Sequence, residues 1–180
     1  PTDAVGYGQK TTALLALKRP LEALAAAELG HELNPNDPMS YGHLSAALLA
    51  LKRPLEALEA AEKAIQLEPF SLVNHSRRFT ALLRLERFSE ALAVAEEMIK
   101  LNPTDPVNYG HLSAALLALE RFSEALAAAK EASRLNPTDP ISYGHQFNAL
   151  LALGRLPEAL EAAEKHIELD PTDAIGYGQK

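Results

Sequence analysis

A proline returns every 34 residues: Pro1, Pro35, Pro69, Pro103, Pro137 and Pro171 fall in one register with no insertion or deletion between them. A fixed period of this length constrains the fold more than composition does. Each copy is one supersecondary unit that buries its apolar face only against its neighbours, so the expected architecture is a stacked helical-repeat solenoid. The chain is expected to form one array over residues 1–180, with full copies at 1–34, 35–68, 69–102, 103–136 and 137–170 and a partial sixth at 171–180. Ala and Leu supply most of the 47% apolar fraction, and β-branched residues are few, which favours helix throughout.

The fourth copy shows how one unit is specified. Asp105 before Pro106 reads as an N-cap with proline at the first helical position, a device repeated at Asp37-Pro38 and Asp139-Pro140. Asp3-Ala4 and Asp173-Ala174 keep the cap without the proline. A first helix is predicted through about Leu119, with Tyr109, Leu112, Leu116 and Leu117 at helical spacing. A Glu-Arg turn follows, and a second helix begins near Ser123, its stripe formed by Ala125, Leu126, Ala129, Ala132 and Leu135. Asn136-Pro137 stops it, because proline cannot continue the hydrogen-bond ladder.

These residues resemble the tetratricopeptide repeat, and the resemblance covers the whole chain. Counting from the first helical residue, Tyr109 stands at position four, Leu112 at seven, Ser113 at eight, Ala125 at twenty, Ala132 at twenty-seven and Pro137 at thirty-two. The resemblance implies an all-α, right-handed superhelical solenoid of antiparallel helix hairpins. Two departures stand out. Ala27, Ala61, Ala95, Ala129 and Ala163 occupy a place where the family has bulk, so Ser45 and Ser113 are expected to let the helices approach closely. In the third and fifth copies Phe79 and Phe147 replace that small residue, while Arg78 and Gln146 replace the seventh-position leucine.

By the same resemblance, partners lie along a concave groove lined by first-helix positions two, five, six, nine and thirteen. The second position is apolar throughout, with Val5, Met39, Val73, Val107 and Ile141, and the fifth is Gly or Ser, which is expected to leave backbone accessible. The sixth carries Gln9, His43, Arg77, His111, His145 and Gln179. The candidate ligand contacts are therefore His43, Arg77, Arg84, His111 and His145, with Val73, Val107 and Ile141 as an apolar floor. The third copy adds Arg78, Asn74, Thr80 and His75 in place of Tyr, so Arg77 with Arg84 is expected to form a basic spot for a carboxylate or phosphate. Arg19, Arg53, Arg87, Arg121 and Arg155 each precede a glutamate by three residues and read as structural pairs.

The function expected is a non-enzymatic scaffold binding an extended peptide or a partner surface. No Ser-His-Asp arrangement, phosphate loop or HExxH motif is present, no cofactor is implied, and adjacent-copy histidines stand too far apart to share a metal. A net charge of −7 argues against nucleic acid and anionic membrane. Residues 171–180 repeat residues 1–10 with one change, Val5 to Ile175, and neither end carries a polar cap. Two explanations stay open: the chain is a segment of a longer protein, or its ends stack head to tail on other copies. A recognition arm of a larger enzyme is a further alternative.

Overall fold

The computed structural model describes residues 3–171. They form ten helices, with no strand among the described residues: α1 (Ala4–Ala16), α2 (Pro20–Leu33), α3 (Pro38–Ala50), α4 (Pro54–Leu67), α5 (Leu72–Arg84), α6 (Phe88–Leu101), α7 (Pro106–Ala118), α8 (Phe122–Leu135), α9 (Pro140–Ala152) and α10 (Leu156–Leu169). Two helices per 34-residue copy is the expected hairpin, with ends within a residue of those anticipated for the fourth copy. The partial sixth copy beyond Pro171, including the Asp173 cap and Gln179, lies outside the described residues. The chain forms two compact units, Pro1–Arg87 and Phe88–Lys180. The first holds α1 to α5 and the second α6 to α10, so the division falls inside the third copy.

Local chemistry sets the helix ends. Asp3, Asp37, Asp105 and Asp139 each accept a hydrogen bond from the backbone N–H two residues on, at 3.0–3.2 Å. That satisfies donors the helix itself leaves unpaired. The turn within a copy needs one residue in the left-handed region, filled by Lys18, Lys52, Glu86 and Glu120 at φ of 57–59° and by Gly154 at 70°. Four copies thus carry a side chain where glycine would be unstrained. The copy's opening proline is bound back by the fourth position: Tyr109 and Tyr143 Oη donate to Pro103 and Pro137 O at 3.1 and 3.2 Å. His75 stands in for that tyrosine and donates from Nε2 to Pro69 O at 2.8 Å, fully buried. It belongs to the scaffold and not to the ligand-facing cluster.

Within the units, α1 packs on α2, α3 on α4, α7 on α8 and α9 on α10. Each even helix also packs on the odd helix that follows it, α2 on α3, α4 on α5, α6 on α7 and α8 on α9. The interior is built on alanine: Ala23, Ala57, Ala91, Ala125, Ala61, Ala95 and Ala129 are all buried. Their lack of bulk lets the hydroxyl of the eighth position reach the facing helix's backbone. Ser45 Oγ donates to Ala57 O at 2.8 Å and Ser113 Oγ to Ala125 O at 2.9 Å. Around this seam Leu48, Leu58, Leu82, Leu116, Leu126 and Leu150 are buried, each stabilising by about 1.5–3 kcal/mol.

The departures at the seventh and eighth positions resolve into separate roles. Phe79 is buried, and Phe147 packs against the cluster of Leu116, Leu126, Leu150 and Ala162. Arg78 and Gln146 turn to the preceding copy's second helix. Arg78 Nε stands 3.8 Å from Glu62 on α4, and Gln146 Nε2 donates to Ser133 Oγ on α8 at 2.9 Å. The two larger polar replacements thus sit where copies meet.

Gly154 has nothing near enough to obstruct a Cβ, so its substitution isolates the backbone cost. Gly154→Ala is expected to destabilise by about 1 kcal/mol, measured by urea unfolding; an unchanged midpoint would show that the left-handed conformation is not retained.

Candidate functional site

The odd-numbered helices present the second-position residues to solvent. Val5, Met39 and Val73 on α1, α3 and α5, and Val107 and Ile141 on α7 and α9, are 57–66% exposed. Isolated exposed aliphatics are ordinary, but a row repeated at one position in every copy is an unpartnered apolar stripe.

The fifth position does not leave backbone open. The His43 ring lies on Gly8 so closely that a Cβ there would stand 2.5 Å from its Cε1. Gly42 is covered in the same way by Arg77, whose Nη1 would be 2.9 Å from such a Cβ, with Asn74 Oδ1 at 3.1 Å. In the second unit the His145 ring lies over Gly110 more loosely, at 4.0 Å. The sixth-position side chain of one copy therefore rests on the fifth-position glycine of the copy before. Glycine here is a seat for the neighbour's ring or guanidinium.

That seating sets the electrostatics. Burial holds the His43 imidazole below its ordinary range, helped by the Arg77 cation and opposed by Asp37. His111 is likewise lowered by burial, against its bond to the Val107 carbonyl and the field of Asp105. Its Nδ1–H donates to Val107 O at 2.8 Å. His145 is lowered by burial and by His111, with Asp139 opposing, and its buried Nδ1 has no hydrogen-bond partner among the described residues.

The arginines divide by partner. Arg19, Arg53, Arg78, Arg121, Arg134 and Arg155 each meet a glutamate. Among the described residues Arg77 meets none: its Nη1 donates to Asn74 Oδ1 at 2.9 Å, and burial lowers its pKa. Arg84 is held by a different partner. Its Nη1 donates to Leu49 O at 3.0 Å, placing a cation on the carbonyl end of α3. No Asp or Glu occurs anywhere in α1, α3, α5, α7 or α9, while Lys10, Arg77, Arg78 and Arg84 do. The chain's acids lie in the caps, the turns and the even helices.

Two features escaped sequence reasoning. The third helical position is buried and polar, as with Asn108, whose Nδ2 donates to Met98 O and Asn102 O at 3.0 and 2.9 Å. The other is a cavity of about 280 Å³ between α1, α2 and α3. Its signal was Gly30, a lone glycine where other copies carry Ala, Met or His. His31 and His166 serve packing, through Ser40 Oγ at 3.0 Å and Pro140 O at 2.7 Å. Among the described residues no group of three metal-ligating side chains converges, and no helix is long and apolar enough to cross a membrane.

Two family models, each described as tetratricopeptide repeat, match residues 40–71 and 82–146, together more than half of the sequence. The chain belongs to the tetratricopeptide repeat family. No curated protein matches it. Among solved structures, a thermophilic tetratricopeptide repeat protein of Thermus thermophilus is 25% identical, with a TM-score of 0.84 over 95% of this chain and 93% of that one. MamA of Desulfovibrio magneticus RS-1, from residue 41 to its end, is 24% identical with a TM-score of 0.78, covering 94% and 96%. YrrB, described as having an unusual peptide-binding site, is 20% identical with a TM-score of 0.69, covering 95% and 88%. The fold is thus all-α, of the tetratricopeptide solenoid class, a protein-interaction repeat.

Because His43, His111 and His145 take up protons less readily folded than unfolded, their stability contribution is full above the ordinary imidazole value and lost as pH falls below it. The urea midpoint is expected to hold steady above about pH 7 and to fall as the pH drops below about 6.5. Replacing all three with Gln should flatten that interval; an unchanged slope would show that other groups carry it.

Proposed function

We propose that the chain is a non-enzymatic scaffold that holds an extended peptide or partner surface along its first-helix faces, its five copies serving as one array. Arg77 carries the reading. It is a partly desolvated cation on a helix free of acidic residues, and its hydrogen-bond partner is a neutral amide, not a glutamate. A ligand carboxylate would supply the missing counter-charge through a charge-assisted hydrogen bond. Val73 and Met39 flank it with exposed apolar surface. In the second unit Val107 and Ile141, beside His111 and His145, offer a similar mix of apolar surface and hydrogen-bonding rings. YrrB's description as a peptide-binding member of the same fold supports this mode of use. Arg77→Ala is expected to weaken binding of a peptide selected on the wild-type chain about tenfold, with melting little changed. Arg84→Ala should instead lower melting, since Arg84 holds the α3 carbonyl end. Undiminished affinity in Arg77→Ala would sink the reading.

A second reading, head-to-tail stacking of copies of the chain, is favoured by one comparison. Leu160 is 60% exposed, whereas Leu24, Leu58 and Leu126 at the same position are 8% exposed or less and Leu92 is partly buried. A leucine wholly or partly covered in the other copies stands open on α10, as a stacking surface would. Molar mass by light scattering is expected to rise with concentration in the wild type and stay constant in Leu160→Glu. A wild-type mass that does not change would exclude this assembly.

A further inference from the structure

Resting on the peptide-binding reading, we propose that the ligand of the first unit is a polyproline II-like segment bearing a bulky apolar side chain and, three residues away, a carboxylate. The apolar residue enters the cavity between α1, α2 and α3, and the carboxylate meets Arg77.

The cavity of about 280 Å³ is lined by Val5 and Thr12 of α1, Ala27 and Gly30 of α2, and Met39 and His43 of α3. Its floor stays low because Gly30 has no room to grow: a Cβ there would stand 3.2 Å from Tyr7 Cβ and 3.6 Å from Ala4 O. Three of the polar groups around it are already engaged. Thr12 Oγ1 donates to Gly8 O at 3.1 Å, Ser40 Oγ to Asp37 O at 2.8 Å, and Asp37 Oδ1 caps the Met39 N–H at 3.1 Å. Val5 and Met39 at the rim are exposed. A hollow with most of its polar groups engaged and an aliphatic rim favours an apolar side chain, since a polar one placed among Val5, Ala27, Gly30 and Met39 would lose its water without finding a partner.

Arg77 lies one copy further along. It covers Gly42 as His43 covers Gly8, and α1, α3 and α5 are successive neighbours in the first unit. Adjacent packed helices lie about 8–10 Å apart. A polyproline II segment advances about 9 Å in three residues and returns its side chains to the same side at that interval. A β-strand returns a side chain to one face after two or four residues, about 6.5 or 13 Å, and fits neither. Charge selects the second group. No acid occurs within α1, α3 or α5 to oppose a carboxylate at Arg77. The nearest aspartate of the cavity, Asp37, is held at the start of α3 by its cap.

The test is selection of short randomised segments displayed on phage against the full chain. It is followed by fluorescence anisotropy of synthetic peptides in which Leu and Glu are separated by two, three or four positions. Spacing three is expected to bind about tenfold tighter than the others. Replacing the peptide's Glu by Gln and Arg77→Ala should each remove that advantage, and together remove no more than either alone. Thr12→Phe, which fills the cavity from its exposed rim, should abolish the preference for Leu over Ala while keeping the preference for Glu over Gln. Its melting temperature reports whether the fold is retained. Selected segments that bind through Arg77 without a preferred spacing would overturn this register and leave the binding reading standing. Failure to select any segment would overturn both.

Discussion

The close approach of the two helices in a hairpin is the constraint from which the rest follows. It depends on alanine: wherever Ala57 faces Ser45, or Ala125 faces Ser113, the gap is small enough for a hydroxyl to bond to the opposite backbone. Alanine buries little area, so dispersion across a dense seam must supply what large side chains supply elsewhere. Larger residues are displaced to the places where successive copies meet. Leu116, Leu126 and Leu150 pack there, and there Gln146 and Arg78 find their partners.

The same displacement shapes the first-helix face. Because backbones come close, His43 and Arg77 each have a glycine to lie on and are partly buried. His43 and Arg77 are therefore held in fixed poses before any ligand arrives. Such preorganisation lowers the entropy lost on binding. It also leaves Arg77 partly dehydrated without a carboxylate, a condition that the glutamate-paired Arg19 and Arg121 of the turns escape.

Much of the scaffold was legible from period and punctuation. Asp105-Pro106 and Asn136-Pro137 mark helix limits because caps and proline act locally, within a few residues. The face was legible in composition but not in pose. Periodicity says that Gly8 and His43 recur at positions five and six; it does not say that one lies on the other, since that contact joins residues of different copies. Arg84 shows the same limit. Its position implied an inward cation, yet its reach to the Leu49 carbonyl depends on a backbone neighbour that no spacing reveals. His75 looked like part of a polar cluster because the substitution of Tyr by His reads as chemistry. Only the bond to Pro69 O shows a ring nitrogen doing a phenol's work.

The seating of His43 on Gly8 and of Arg77 on Gly42 also bears on how such a chain can change. A copy seated in this way is not an independent cassette: moved elsewhere, the second copy's His43 would lose Gly8, and Gly42 would lose Arg77. The inheritable element is the junction, half of one copy and half of the next. Exchanges made at the tight turn within a copy keep every junction whole, whereas exchanges at the prolines separate each side chain from its seat. The division between Arg87 and Phe88 falls at such a turn. Variation in a lineage of these proteins would then appear as paired changes one period apart, read across the proline and not between two prolines.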